Sequence, residues 1–224
     1  MSKLVIAIDG PAGAGKSTVA KRVAKQLGLR YLDTGAMYRA IALKARRNGL
    51  GAADGEKAGE LGQETEIAFG SGDPQTVYLD GEDVTTAIRT LEIGELASAL
   101  SAHSAVRRVL AKRQKELVAA GGVTLEGRDV TTVIAPNAQV KIYLTASPEE
   151  RARRRCEELR AKGEPAEYGE VLRMIQERDT RDMTREDSPL MIASDATVID
   201  TDGMSIDEVV ARVLELADSG DSLD

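Results

Sequence analysis

The sequence predicts an α/β fold built on a parallel sheet covered by helices on both faces. Three observations lead there. Short apolar runs rich in β-branched residues recur along the chain, interleaved with stretches of helical periodicity. The runs are continuous instead of alternating, as in strands buried on both faces. Finally, 224 residues, 42% apolar and 30% charged, suit one globular domain large enough to bury a core without disulfides.

Taken in order, Leu4 to Ile8 is the first core strand, bounded by Asp9-Gly10-Pro11. A helix follows over Lys16 to Leu27, with Val19, Val23 and Leu27 on one face and Gly28 just past the end. Arg30 to Leu32 reads as a second short strand, and Ala36 to Arg47 as a helix stopped by Asn48-Gly49. The segments 65–69, 76–79 and 83–85 are short strands separated by Gly-, Asp- and Pro-containing turns, a small antiparallel β-meander inserted into the α/β chain. Ile88 to Leu100 and Ala105 to Ala119 are expected to be helical, the second closed by Gly121-Gly122. Val123 to Leu125 and Val140 to Leu144 are further core strands. Ser147-Pro148-Glu149-Glu150 starts a helix, with Ser as cap and Pro at the first helical position. Charged helices are expected over 148–161 and 167–183, and Thr197 to Ile199 is the last strand. Ser205 and Glu208 form a capping box ahead of a stripe made by Ile206, Val209, Val210, Val213, Leu214 and Ala217. The polar tail 218–224 is expected to fray. No internal repeat and no linker divides the chain.

Composition excludes several classes. One Cys and one His leave no disulfide framework and no all-N/S zinc site. A formal charge of −7 and only 3% aromatic residues argue against a nucleic-acid coat or a stacking platform for single strands. The first apolar run stops at Asp9, too short for a signal-peptide core, and no run reaches the ~18 residues of a membrane span. The expectation is a cytoplasmic protein with no nucleic-acid or membrane partner.

Gly10-Pro11-Ala12-Gly13-Ala14-Gly15-Lys16-Ser17 fits the phosphate-loop pattern G-x-x-x-x-G-K-S/T at every fixed position, and Thr18 continues it into the helix. Glycines let the backbone curl until its N–H groups point at phosphate oxygens, and the helix N-terminus adds unpaired donors and a positive dipole end. In such a loop Lys16 reaches the β- and γ-phosphates and the Ser17 hydroxyl ligates Mg²⁺. Chance produces a match in roughly one chain in a hundred of this length. Here it also sits between a core strand and an amphipathic helix, so the sheet is read as P-loop NTPase-type.

Arginines supply the rest. Arg151, Arg154 and Arg155 share a helical face, and so do Arg178, Arg181, Asp182 and Arg185. Guanidinium forks suit phosphate because they bind it bidentately and stay charged. Glu126-Gly127-Arg128-Asp129 follows a strand, where residues beyond the carboxyl ends line the ligand crevice of open α/β sheets. Asp33-Thr34-Gly35-Ala36-Met37-Tyr38-Arg39 is a second crevice edge. His103 and Cys156 carry no catalytic pattern, and His103 suits a helix junction.

These residues resemble the bacterial type of cytidylate kinase, a nucleoside monophosphate kinase, over nearly the whole chain. The resemblance rests on I-D-G-P-A-G-A-G-K-S-T at 8–18, L-D-T-G-A-M-Y-R-A at 32–40, L-D-G-E-D-V-T at 79–85 and I-R-T at 88–90. It continues through E-G-R-D at 126–129, V-K-I-Y-L-T-A-S at 140–147, E-R-A-R-R-R at 150–155 and E-R-D-x-R-D at 177–182. It implies Mg²⁺-dependent transfer of a phosphoryl group from ATP to CMP or dCMP. It also implies a nucleoside-monophosphate-binding insert near 34–100 and a helical lid near 148–164 within one kinase domain; a monomer is expected because the sequence shows no exposed apolar seam. By the same resemblance, residues 10–18 bind ATP, while Lys16, Arg128, Arg151, Arg154 and Arg155 serve the transferring phosphoryl. The CMP set comprises Thr34, Arg39, Ser98, Arg107, Arg128, Asp129, Arg178, Asp182 and Arg185. Ser98, Arg107 and Asp129 are assigned to cytosine, Arg178 and Asp182 to ribose, and Arg39, Arg128 and Arg185 to the acceptor phosphate.

One departure stands out. The family usually follows G-R-D with a hydrophobic residue, Gly and Thr, whereas this chain has Val130-Thr131-Thr132. Other small-molecule P-loop kinases, such as those for shikimate or gluconate, would keep the phosphate loop but need neither the cytosine-reading set nor the insert. A GTPase switch would need N-K-x-D, which neither Asn48 nor Asn137 begins. A non-catalytic nucleotide-binding scaffold would consume no ATP in response to an acceptor.

Overall fold

The computed structural model describes residues 3–161 and 163–220. The chain opens with β1 (Val5–Asp9), α1 (Lys16–Leu27) and β2 (Arg30–Asp33). α2 (Thr34–Arg47), α3 (Gly55–Gln63), β3 (Ile67–Phe69), β4 (Val77–Leu79), β5 (Glu82–Asp83), α4 (Leu91–Leu100) and α5 (Ser104–Val118) follow. β6 (Val123–Gly127), β7 (Val140–Thr145), α6 (Pro148–Ala161), α7 (Tyr168–Thr184), β8 (Thr197–Asp200) and α8 (Ile206–Gly220) complete it.

Five strands form the main sheet in the order β2-β6-β1-β7-β8. β1 lies parallel to β6 and β7, and β7 parallel to β8. The register pairs Asp9 with Gly127 and with Tyr143, so β1 and β6 end side by side and deliver Asp9, Glu126 and the turn after Gly127 to one edge. Ile6, Ile8, Leu125, Ile142 and Leu144 are fully buried, each contributing about 1.5–3 kcal/mol relative to exposure. The α1 residues Val19 and Val23 and the α8 residues Val209, Val210 and Val213 join the same core. α8 begins with a complete capping box: Ser205 N–H and Oγ both reach Glu208 Oε2 at 2.8 Å, and Glu208 N–H returns to Ser205 Oγ at 3.3 Å.

The chain divides into two units, Met1–Leu32 with Val118–Asp224, and Asp33–Leu117. The second has its own core around Met37, Ile41, Ile88, Leu100 and Leu110, with the antiparallel sheet β3-β4-β5. It includes α5 as far as Leu117.

Several expectations need correction. α2 starts at Thr34, two residues early, because the Asp33 carboxylate caps it by accepting from Ala36 N–H at 2.9 Å. The meander's third strand is Glu82–Asp83, not 83–85, because Thr85 N–H and Oγ turn onto Asp83 Oδ1 at 2.9 and 2.6 Å. The single helix expected over 88–100 is a 3₁₀ turn at Ala87–Arg89 followed by α4, which restarts where Thr90 Oγ accepts from Ile93 N–H. Helix α3 was not anticipated. α8 continues through residues 218–220 instead of fraying there, and the remainder of the expected tail, 221–224, lies outside the described residues. His103 sits just before α5, its Nε2 2.8 Å from Ala52 O.

Candidate active site

The phosphate loop connects β1 to α1. At Gly10, φ is +149°, and a Cβ there would sit 2.0 Å from Leu144 O, so the loop can pass β7 only without a side chain. Lys16, in the first turn of α1, is buried, and its ammonium donates to Pro11 O at 2.7 Å. Burial, with Arg128 beside it, lowers the Lys16 pKa to about 7, although Glu126 and Asp9 pull the other way. Ser17 and Thr18 are exposed, and Ser17 Oγ donates to Glu126 Oε1 at 2.7 Å.

The turn after β6 is built on β1. Asp9 is fully buried and accepts from Val130 N–H at 2.9 Å, Thr131 N–H at 2.7 Å and Thr131 Oγ at 2.6 Å. These three donors hold Val130–Ile134 as a single π-helical turn. Thr131, at the position where the family pattern has Gly, supplies two of them. Burial raises the Asp9 pKa to about 6 even so, with the Asp129 carboxylate adding a smaller upward push.

The α7 arginines converge on this turn. Arg128 Nε donates to Asp182 Oδ2 at 2.8 Å, and Arg178 Nε lies 3.9 Å from the same oxygen. Arg185 Nη1 is 3.5 Å from Asp182 Oδ1, and its Nη2 is 3.9 Å from Asp129 Oδ1. Arg185 is further anchored by Ser188 O, at 2.9 and 2.6 Å. Burial alone would raise the Asp182 pKa. The guanidiniums of Arg128, Arg178 and Arg185 outweigh it and hold the carboxyl below its usual range. Three guanidiniums thus gather on the Asp182 carboxylate, with Asp129 as a second acid beside Arg185, and guanidinium forks suit an anionic phosphate.

On α6 the three expected arginines take separate partners. Arg151 is buried, donating to Ala146 O at 3.0 Å and Ala12 O at 2.9 Å and pairing with Asp179 at 2.7 Å. Arg154 holds Thr201 through its hydroxyl at 3.0 Å and its carbonyl at 2.8 Å, and also Glu150 at 2.8 Å. Arg155 pairs with Glu158 at 3.1 Å. With Arg153 first and then Arg154 beside it, Glu150 is held down to a pKa of about 2. Cys156 points into the small core between α6 and α7.

Thr34, Arg39, Ser98 and Arg107 belong to the second unit. Thr34, Ser98 and Arg107 are buried. Arg39 Nη1 lies 4.0 Å from Asp33 Oδ2, and Arg107 donates to Ser101 O at 3.1 Å and stacks over Tyr38 at 5.5 Å.

Sequence reasoning left Asp9 and Asp179 out of the site and gave Glu126, in the crevice motif, no role of its own. Asp9 ends the apolar strand immediately before the loop, and Asp179 lies within E-R-D-x-R-D, so both were adjacent to motifs already singled out. Their partners, 121 and 28 or more residues away, were not visible in local spacing. Among the described residues, no group of three or more His, Cys, Asp and Glu could hold a metal, and no helix is long and apolar enough to cross a membrane.

The cytidylate kinase family model matches residues 6–219. A cytidylate kinase of Caldicellulosiruptor bescii is 50% identical over 217 residues, 96% of each chain, and one of Listeria welshimeri is 48% identical over 96% of each. Among solved structures, a gluconokinase from Sinorhizobium meliloti superimposes with a TM-score of 0.51 at 15% identity, covering 99% of this chain and 95% of its own, a likeness of fold alone. With a family model spanning almost all of its length and relatives at half identity end to end, the chain belongs to the cytidylate kinase family.

Proposed function

We propose that the chain transfers the γ-phosphoryl group of ATP to CMP or dCMP, giving ADP and CDP or dCDP. The observation that carries this reading is the match to the cytidylate kinase family over residues 6–219. Residues 10–18 bind the ATP phosphates, with Lys16 directed to the β- and γ-groups. Arg128 and Arg185 receive the acceptor phosphate, Arg178 and Asp182 the ribose, and Asp129 the base. Arg39, Thr34, Ser98 and Arg107, from the Asp33–Leu117 unit, complete the CMP set.

Mg²⁺ fits the residues present. Ser17 Oγ and the Glu126 carboxylate are hard oxygen donors 2.7 Å apart beside the loop, and a magnesium ion that keeps its waters and takes nucleotide phosphates needs only one or two such groups. When bound, it would neutralise charge on the β- and γ-phosphates. The protein's share is positioning and charge stabilisation, with Lys16, Arg128, Arg154 and Arg155 as the cations of the transfer end and Arg151 behind the loop, on Ala12 O. The acceptor is a phosphate monoester, ionised near neutral pH, so no general base is required. Closure of the lid, 148–164, would exclude water from the reacting phosphoryl. The insert, 34–100, contributes Thr34, Arg39 and Ser98 to acceptor recognition, and the protein works as a cytoplasmic monomer.

An acceptor panel with ATP and Mg²⁺ tests the reading. kcat/KM should be highest for CMP or dCMP, lower for UMP and lowest for AMP. Turnover on shikimate or gluconate with none on CMP would replace it with another small-molecule kinase.

A further inference from the structure

Arg151 sits at an unusual junction. Its side chain reaches three separate elements: the phosphate loop at Ala12 O, the segment after β7 at Ala146 O, and α7 at Asp179 Oδ2. The loop is shaped to receive it. Gly13 has φ +79°, and a Cβ there would lie 3.2 Å from Arg151 Cβ, so the first turn of α6 packs directly on the crest of the loop. Asp179 commits its charge to this contact. It is buried, and its second oxygen, Oδ1, has no hydrogen-bond partner among the described residues.

The consequence follows from peptide geometry. In a trans peptide the C=O and the following N–H point in opposite directions. Arg151, by holding Ala12 O, fixes the direction of the Gly13 N–H. Lys16 does the same one residue earlier, holding Pro11 O and so directing the Ala12 N–H. Two consecutive amides of the loop are thus set by two buried cations. Arg151 is itself set by α7, the helix that also carries Arg178 and Asp182.

We infer that Arg151 and Asp179 form a positioning clamp that orients the Ala12–Gly13 peptide of the phosphate loop and ties it to the acceptor-binding face of α7. The inference rests on the cytidylate kinase reading above and deepens it. Arg151 acts through the loop and α7 instead of touching the transferring phosphoryl. Breaking the clamp leaves both nucleotides able to bind but lets the donor and acceptor groups drift out of line. Transfer to CMP then loses ground to attack by water.

The test compares wild type with Asp179→Asn, Arg151→Lys and the double variant, each given ATP, Mg²⁺ and CMP. ADP and CDP are quantified together, and thermal unfolding is followed on the same samples. The amount of ADP released without CDP, per CDP formed, does not depend on the folded fraction, so a merely structural loss leaves it unchanged. It should rise at least fivefold in each single variant. The double variant should be no worse than the more affected single, because both changes break one clamp, and Asp179→Glu should restore at least half of the loss. An unchanged ratio in both single variants, or effects that multiply in the double, overturns the clamp. Wild-type protein that consumes ATP but forms no CDP overturns the cytidylate kinase reading itself, whatever the variants do.

Discussion

ATP binding at pH 8 should take up close to one proton, and the proton should go to Lys16. The ammonium is buried and donates to Pro11 O at 2.7 Å, and burial together with Arg128 brings its pKa to about 7. From that value roughly half of the Lys16 side chains are neutral at pH 7 and roughly nine-tenths at pH 8. A polyphosphate arriving in the loop supplies the negative charge that Glu126 and Asp9 provide only in part, so the bound state favours the ammonium. Uptake should therefore be about 0.9 proton at pH 8, about 0.5 at pH 7 and about 0.1 at pH 6. Titration calorimetry in two buffers of different ionisation enthalpy measures it directly. With one histidine in the chain, few other side chains titrate in this range. Lys16→Met should abolish the pH-dependent part and most of the turnover. Uptake that does not change between pH 6 and 8, or that survives in Lys16→Met, would refute the electrostatic reading of the loop.

Gly10→Ala should destabilise the protein by about 2–4 kcal/mol and abolish ATP binding, since its Cβ would collide with Leu144 O at a positive φ; denaturant unfolding and calorimetry check this. Asp182→Asn removes the charge facing Arg128 at 2.8 Å in a buried setting, at a cost of about 3–5 kcal/mol, and should raise the KM for CMP far more than that for ATP; steady-state kinetics would show equal changes if the assignment is wrong. Asp9 should make stability fall as pH rises from about 4 to about 6. Its folded pKa lies above its unfolded one, so the folded state holds the extra proton across that window, and the loss totals about 3 kcal/mol. Urea unfolding at several pH values should show this slope in the wild type and its absence in Asp9→Asn. Thr131→Ala should cost about 1.5–3 kcal/mol by removing one hydroxyl donor from that carboxylate, a difference the same unfolding series resolves.

The parts of this molecule that could be read in advance are those whose physics is local. The apolar run before Asp9, the glycines and Lys16 of the loop, and the Ser205–Glu208 capping box each carry their signal within a few residues. The α7 spacing also sufficed to bring Arg178, Asp182 and Arg185 together, because helical periodicity puts them on one face. What escaped depends on distant partners. Helix α3 has three glycines in nine residues and little apolar periodicity, and it exists through packing on α2. The π-helical turn at 130–134 forms because Asp9, from another strand, offers two carboxylate oxygens to it. By spacing, Arg151 shares one helical face with Arg154 and Arg155. Only the approach of Asp179 and Ala12 draws it inward.

The most direct test is the fate of a labelled γ-phosphate. Wild-type protein incubated with γ-labelled ATP, Mg²⁺ and CMP should place the label in CDP, with little released as inorganic phosphate. Label that appears only as inorganic phosphate, or that stays in ATP on well-folded protein, would contradict transfer between a donor in the phosphate loop and a cytidine nucleotide held by Arg128, Arg178 and Arg185.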